Sequence, residues 1–250
     1  MISYAQNFED VMLARALSSV GRGFYIDIGA WHPDRHSVTR HFYEAGWRGV
    51  NVEPGKTYFD LLRRRRRRDT NLNVVISDRP GQLVFHEAPH SGLSGTDPAV
   101  LATAGRLGIQ TQSFTVQAIT LAELCERHVP PGGDIHFLKI DVEGHEAAVI
   151  RSGDWERFRP WIVVLEAITP AGEPAWEAFE ADLQSKDYAF AWFDGLNRFY
   201  VRRESEALLG RFNSPPNVFD GVVHFPDDRI GRAMEWCYGL LRRLHHRFKR

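Results

Sequence analysis

The chain has 250 residues, 43% of them hydrophobic and 25% charged, with a formal net charge of -1. That length and apolar fraction can bury one substantial core with small additions, and the near-neutral balance excludes a global electrostatic drive towards nucleic acid, so no nucleic-acid partner is expected. Cys125 and Cys237, far apart in sequence, exclude a disulfide framework and a cysteine metal cluster.

Residues 1–10 lack a basic region followed by an apolar run, and no later segment is apolar over the width of a bilayer, so a cytoplasmic location is expected. Phe8, Val11, Met12, Ala16 and Leu17 then recur at helical spacing, with Asn7 placed to cap them and Gly21 and Gly23 closing the segment. Phe24 to Ile28 has the pattern of a buried strand and ends in Gly29. A helix is expected after Ser37, through Val38, Phe42 and Ala45, with Gly46 ending it before a second strand at residues 49–53. Residues 57–68 predict a helix carrying Tyr58, Phe59, Leu61 and Leu62. Its Arg63 to Arg68 run reads as a solvated face, attraction of an anionic acceptor being the alternative. A third strand is expected at residues 72–76.

From Gly81 to Ala118 hairpin-like stretches surround the Gly/Ser/Thr-rich section Ser91 to Thr96, so residues 87–112 read as a lid-like insertion. Alternation resumes with a helix at Leu121 to His128, a strand at residues 135–140, a helix at 144–151 and a strand at 161–165. Repeated strand and helix units with continuously apolar strands predict an α/β fold, a Rossmann-like, mostly parallel sheet with helices on both faces. A helix at residues 176–186 and two strands at 188–193 and 197–201, joined around Asp194 and Gly195, add an antiparallel C-terminal edge pair. The main domain therefore spans residues 1–203. Residues 204–250 form an extension whose basic amphipathic helix, through Ile230, Met234, Trp236, Cys237, Leu240, Leu241 and Leu244, suits docking on the body, on a second copy in a homodimer, or on a membrane surface.

In open parallel sheets ligands bind beyond the carboxyl ends of the strands, where strand order reverses. The unusual polar residues fall there: Asp27 and Gly29 after the first strand, Glu53 after the second, Ser77 and Asp78 after the third, and Asp141 to His145 after the fourth. Gly29 admits close backbone approach, and Glu53 can accept two hydrogen bonds from a ribose diol. One acid at a strand end is ordinarily a turn former or helix cap; several in one register point to a shared ligand. A dinucleotide would need a glycine-rich turn around its pyrophosphate, whereas Gly29 is followed by Ala30, Trp31, His32, Pro33 and Asp34. S-adenosylmethionine, with no phosphate and a cationic sulfonium, suits an acid-lined turn better.

The segments Ser3 to Asp10, Phe24 to Pro33, Gly46 to Pro54, Phe137 to Glu146 and Phe193 to Tyr200 together resemble the FkbM-type methyltransferases over residues 3–201. The resemblance implies a class I methyltransferase fold, S-adenosylmethionine as donor and a hydroxyl acceptor, frequently on a sugar or a secondary metabolite such as a polyketide or peptide. It also implies that Gln6 to Asp10 helps enclose the donor. Relatives usually carry Asn where this chain has Trp31, and Asn where it has Val38 beside Ser37. A cofactor set of Gln6, Asp10, Asp27, Gly29, Ala30, Ser37, Glu53, Pro54, Ser77 and Asp141 follows.

Methyl transfer is an in-line displacement that needs oxygen, carbon and sulfur aligned, and an alcohol needs a base to take its proton or a metal to acidify it. His145, just past the fourth strand, is the expected base, with Asp141 or Glu143 holding its tautomer; the alternative is a solvent-facing residue in a first helical turn, with His32 or His36, which follow the first strand, as the base instead. Asp141, Glu143 and Glu166 are hard oxygen ligands suited to Mg²⁺. Acceptor recognition, by a small molecule or oligosaccharide, is expected from Trp31, His32, His36, Phe193, Asp194, Asn197 and Arg198, an aromatic face mixed with polar groups; Trp31 also suits the core. A non-catalytic ligand-binding protein on the same fold is the reading from another class.

Overall fold

A computed structural model describes residues 1–88, 94–169 and 172–225. The strands, in chain order, are β1 Ile2–Ser3, β2 Phe24–Ile28, β3 Arg48–Val52, β4 Thr70–Leu72, β5 Val75–Ile76, β6 Gly81–Glu87, β7 Gln112–Ile119, β8 Phe137–Ile140, β9 Ile162–Glu166, β10 Tyr188–Phe193, β11 Asn197–Arg202 and β12 Val223–His224. The helices are α1 Glu9–Ala16, α2 Arg40–Glu44, α3 Lys56–Arg65, α4 Ala99–Arg106, α5 Leu121–His128, α6 Glu146–Arg151 and α7 Glu180–Gln184.

Seven strands form one sheet in the order β10-β11-β9-β8-β2-β3-β4. β9, β8, β2, β3 and β4 are parallel, and β11 runs against β9 and β10, so the sheet is mixed. Side chains alternate across it with period two. Ile26 and Ile28 join Val50, Leu138 and Val163 under α5, α6 and α7. Tyr25, Phe137, Val164 and Phe199 face α1 and α2 through Met12, Leu13 and Phe42. Strand order reverses between β2 and β8, the place where the acids were expected to meet.

Several expected elements change shape. α1 starts at Glu9 with Phe8 left-handed at φ 62, and Asn7 does not cap it; the Asn7 side chain donates instead to the Asp194 carbonyl at 2.9 Å. The expected strand at residues 72–76 divides. β4 stays in the large sheet while β5 joins β7 and β6 in a small one, because Asn73 Nδ2 donates to the carbonyls of Glu53 and Pro54 (2.9 and 2.7 Å) and turns the chain. The insertion is an antiparallel β6–β7 hairpin that also contains α4, a helix not foreseen among the turn-forming residues. Residues 176–186 give a 3₁₀ turn at Trp176–Ala178 and then α7. α5 follows its signals: Thr120 Oγ1 accepts from Glu123 N and the Glu123 carboxylate from Thr120 N, both at 3.0 Å.

The arginine run is not wholly a solvated face. Arg66 is fully buried, bonded to Asp69, Thr39, Tyr25 and the Pro33 carbonyl, while Arg65 pairs with Asp34 and Arg68 stacks on Tyr43. Residues 204–225 return to the N-terminus, where Arg15 bonds Asp220 and the Ser214 carbonyl and β12 pairs with β1. The expected basic helix through Ile230 and Leu244 lies outside the described residues. Among the described residues no helix is long and apolar enough to cross a membrane.

Candidate functional site

At the carboxyl ends of β2, β3 and β8 lies a cavity of about 470 Å³. Gly29, at φ 81, lets β2 end here: a Cβ at this position would stand 1.8 Å from the Asp141 carbonyl oxygen. Its N–H donates to Val52 O at 3.1 Å and Asp141 N donates to Ile28 O at 3.0 Å, so the end of β2 is fastened to both neighbouring strands. Beneath it, Lys139 Nζ donates to Gly29 O at 2.8 Å and pairs with Asp141 at 3.1 Å and Asp27 at 3.5 Å. Burial alone would pull the Lys139 ammonium down, but Asp141 and Asp27 hold its pKa above the ordinary lysine value. Asp27 is itself buried, accepting from Thr39 Oγ1 at 2.9 Å.

Glu53 follows β3 and is 6% exposed. Its carboxylate accepts from Trp31 N at 2.9 Å and Gly55 N at 2.7 Å, which locks its rotamer, while burial pushes it up to about 7. The N-terminal turn supplies Glu9 and Gln6 to the same wall. Glu9 accepts from Asn7 N at 2.8 Å and Asn197 Nδ2 at 2.9 Å and is pushed up to about 7 by burial. Asp10 lies behind it, tied to Ser3 Oγ and Tyr4 N.

After β8 the chain makes a left-handed reversal at Glu143 (φ 53) and Gly144 (φ 94), closed by Glu146 accepting from Val142 N and Gly144 N. Asp141, Glu143 and Glu166, the last on β9, bring one carboxylate oxygen each within 4.8 Å of one another. Burial and then Asp141 push Glu143 up to about 8, and the same causes raise Glu166. Three partly buried acids this close together favour either protons on Glu143 and Glu166 or a bound cation. His145, which precedes α6, does not lean on Asp141 or Glu143. Its Nε2 meets Ser77 Oγ at 3.1 Å, and Ser77 donates to Asp78 at 3.3 Å. Burial lowers the His145 pKa.

Of the residues singled out from sequence, Gln6, Gly29, Ala30, Trp31, His36, Glu53, Pro54, Asp141, Glu143, His145, Glu166 and Asn197 line the cavity. Asp10, Asp27, Ser37 and Ser77 stand behind that wall. Ser37 N donates to Tyr4 O, and His32 Nδ1 accepts from Asp34 N and Arg35 N, shaping the loop. Asp194 accepts from Leu196 N and Asn197 N to form the β10–β11 turn. Arg198 and Phe193 lie off the cavity, Arg198 on Glu180 and over the Trp176 ring at 4.2 Å, Phe193 against Trp176. Glu9, inside the Gln6 to Asp10 segment expected to enclose the donor, is on the wall as well, whereas sequence reasoning passed over Arg35, Tyr58, Glu87, Thr96 and Lys139, also on the wall. Lys139 alone had a signal, a cation inside an apolar strand.

No curated protein matches the chain. Among solved structures it is loosely similar to an O-methyltransferase from Bacillus cereus in complex with SAH, at 9% identity over 80% of this chain and 83% of that one, with a TM-score of 0.41. A fibrillarin/Nop5p complex is similar at 11% identity over 76% and 80%, with a TM-score of 0.35. Likenesses this loose carry no argument about the site. The profile described as the methyltransferase FkbM domain matches residues 27–190, from Asp27 on β2 to Phe190 on β10. With well over half of its length matched, the chain belongs to the FkbM methyltransferase family.

Proposed function

We propose that the chain transfers the methyl group of S-adenosylmethionine to a hydroxyl of a sugar or glycan precursor. The observation that carries this reading is the convergence of Gly29, Glu53 and Asp141 on one cavity at the ends of three neighbouring strands. The residues fit such a donor. The missing Gly29 side chain lets the Asp141 carbonyl close against the turn and so sets Asp141 beside it, Glu53 keeps two acceptor sites beyond its backbone bonds for a ribose diol, and the acids after β8 suit a sulfonium.

When bound, the donor supplies an electrophilic methyl; the S–CH₃ bond breaks as the O–CH₃ bond forms. The chain's own work is alignment and proton removal. Because Ser77 donates to Asp78, it accepts from His145 Nε2–H, which leaves Nδ1 with the lone pair. Burial keeps that imidazole neutral near pH 7, ready to take the hydroxyl proton. Asp141, Glu143 and Glu166 would hold Mg²⁺, whose chemistry is to acidify a coordinated hydroxyl. Trp31, under Arg35 at 5.2 Å and beside His36 and Tyr58, supports a sugar ring as acceptor.

Calorimetry tests donor use, with adenosylhomocysteine expected to bind; saturable binding of a nicotinamide cofactor without it would overturn the reading. His145→Ala should lower turnover at least about a hundredfold with donor binding intact, and chelation of divalent cations should lower it too. Turnover of polyketide or peptide hydroxyls alone would move the acceptor class, and none across a broad panel would leave a binding protein.

A further inference from the structure

The small sheet presents a second polar wall to the cavity. Glu87, the last residue of β6, is 4% exposed. One of its oxygens accepts from Gln112 Nε2 at 2.5 Å, whereas Oε1 is buried with no hydrogen-bond partner. Thr96 Oγ1 is in the same condition. The bridge between His86 and Gly95 sets Phe85 and Glu87 beside Ser94 and Thr96, and all four line the cavity. A buried acceptor left unmade is costly, so two such atoms on one cavity wall mark where a ligand completes the structure.

Their place narrows the ligand. Glu53 Oε1 and Glu87 Oε1 each lie 2.7 Å from the point where a Cβ on Gly55 would stand, so the two carboxylates flank one spot that only a glycine leaves open. Glu53 spends its accepting edges partly on Trp31 N and Gly55 N, while Glu87 has an oxygen to spare. A vicinal diol, with two neighbouring O–H donors, suits two carboxylates set side by side. Resting on the adenosylmethionine reading above, we infer that Glu87, carried on the inserted hairpin, is a second ribose ligand that takes one hydroxyl of the donor while Glu53 takes the other. The insertion is thereby part of the donor site.

The test is calorimetry of the full chain and its Glu87→Gln variant with adenosylhomocysteine, its 2′-deoxy and 3′-deoxy analogues, and S-inosylhomocysteine. Gln112 holds the new amide by its oxygen and turns the NH₂ towards the cavity, so the acceptor is lost without loss of volume. Adenosylhomocysteine should bind the variant roughly ten- to a hundredfold more weakly, and one deoxy analogue should bind both proteins equally. Without ligand the variant should melt no earlier than the parent, since it removes a buried charge beside Glu53; Thr96→Val serves as a second variant on the same wall. Wild-type affinity in Glu87→Gln, or equal weakening of both deoxy analogues, would overturn the assignment, as would insensitivity confined to the inosyl analogue, which would name the base amine as partner. Failure of the parent protein to bind adenosylhomocysteine would instead remove the donor reading itself.

Discussion

Gly29→Ala puts a methyl group into the tightest point of the site. At φ 81 an alanine costs about 1–2 kcal/mol before any contact is counted. Its Cβ would then stand 1.8 Å from the Asp141 carbonyl oxygen, where real Cβ contacts stay above 3.0 Å. That carbonyl must retreat, and with it Asp141 N, which closes the β2–β8 ladder by donating to Ile28 O at 3.0 Å. Losing that bond adds about 1 kcal/mol, and the Lys139 bond to Gly29 O is disturbed as well. The substitution should therefore destabilise the chain by about 3 kcal/mol or more. Urea unfolding reads the loss, and calorimetry should show adenosylhomocysteine affinity falling more than about tenfold because Asp141 is displaced from the cavity wall that it shares with Glu53. A loss under about 1 kcal/mol with affinity unchanged would refute the close approach as the reason for this glycine.

Arg66→Met strands Asp69, which also accepts from Tyr25 Oη, Gly49 N and Asn51 Nδ2, and should cost about 3–5 kcal/mol; adding Asp69→Asn should recover part of it, and strictly additive losses in a denaturation cycle would contradict the pairing. Stability of the ligand-free chain should fall as pH rises from about 6.5 to above 8, because folded Glu9, Glu53 and Glu143 hold protons (to about 7, 7 and 8) that the unfolded chain gives up near 4.5. Below that window His136 and His145, lowered by burial, pull the other way. Melting curves across the window check it, and a melting temperature that climbs with pH would be incompatible with these burial effects. Mg²⁺ held by Asp141, Glu143 and Glu166 should flatten the curve by replacing the protons on Glu143 and Glu166. Lys139→Met should lower donor affinity and stability together, since Asp27 and Asp141 lose the cation between them; unchanged affinity would make Lys139 structural only.

The frame of the fold is legible because continuous apolar strands such as β2, β8 and β9 carry a strong local signal, and the acids at their ends inherit a common side from parallel pairing. What period and propensity do not carry is the direction of individual polar side chains. Glu9 and Asp10 are neighbours, yet Glu9 meets the cavity and Asp10 fastens the turn behind it, a choice set by Phe8 adopting a left-handed backbone. Arg66 sits in a run of six arginines and is the one without exposure, because Asp69, Tyr25 and the Pro33 carbonyl converge on it from three separate segments. The Phe193 to Tyr200 stretch shows the same limit: Asn197 reaches the wall, and Arg198, one residue on, points to Trp176 on the other side of the strand. Glu87 and Thr96 were hidden because hairpin pairing, rather than spacing along the chain, brings them together.

The ribbon of β1 and β12 ties residues 221–225 to a segment of the cavity wall that they do not line. Val223 N donates to Met1 O, Phe225 N to Ser3 O, and the N-terminal amine to Gly221 O. Residues 4–8, which carry Gln6 on the cavity wall, are thus slung between that ribbon and α1 like a strap buckled at both ends. The anchorage of this segment therefore depends on residues more than 200 positions downstream, none of which lines the cavity among the described residues.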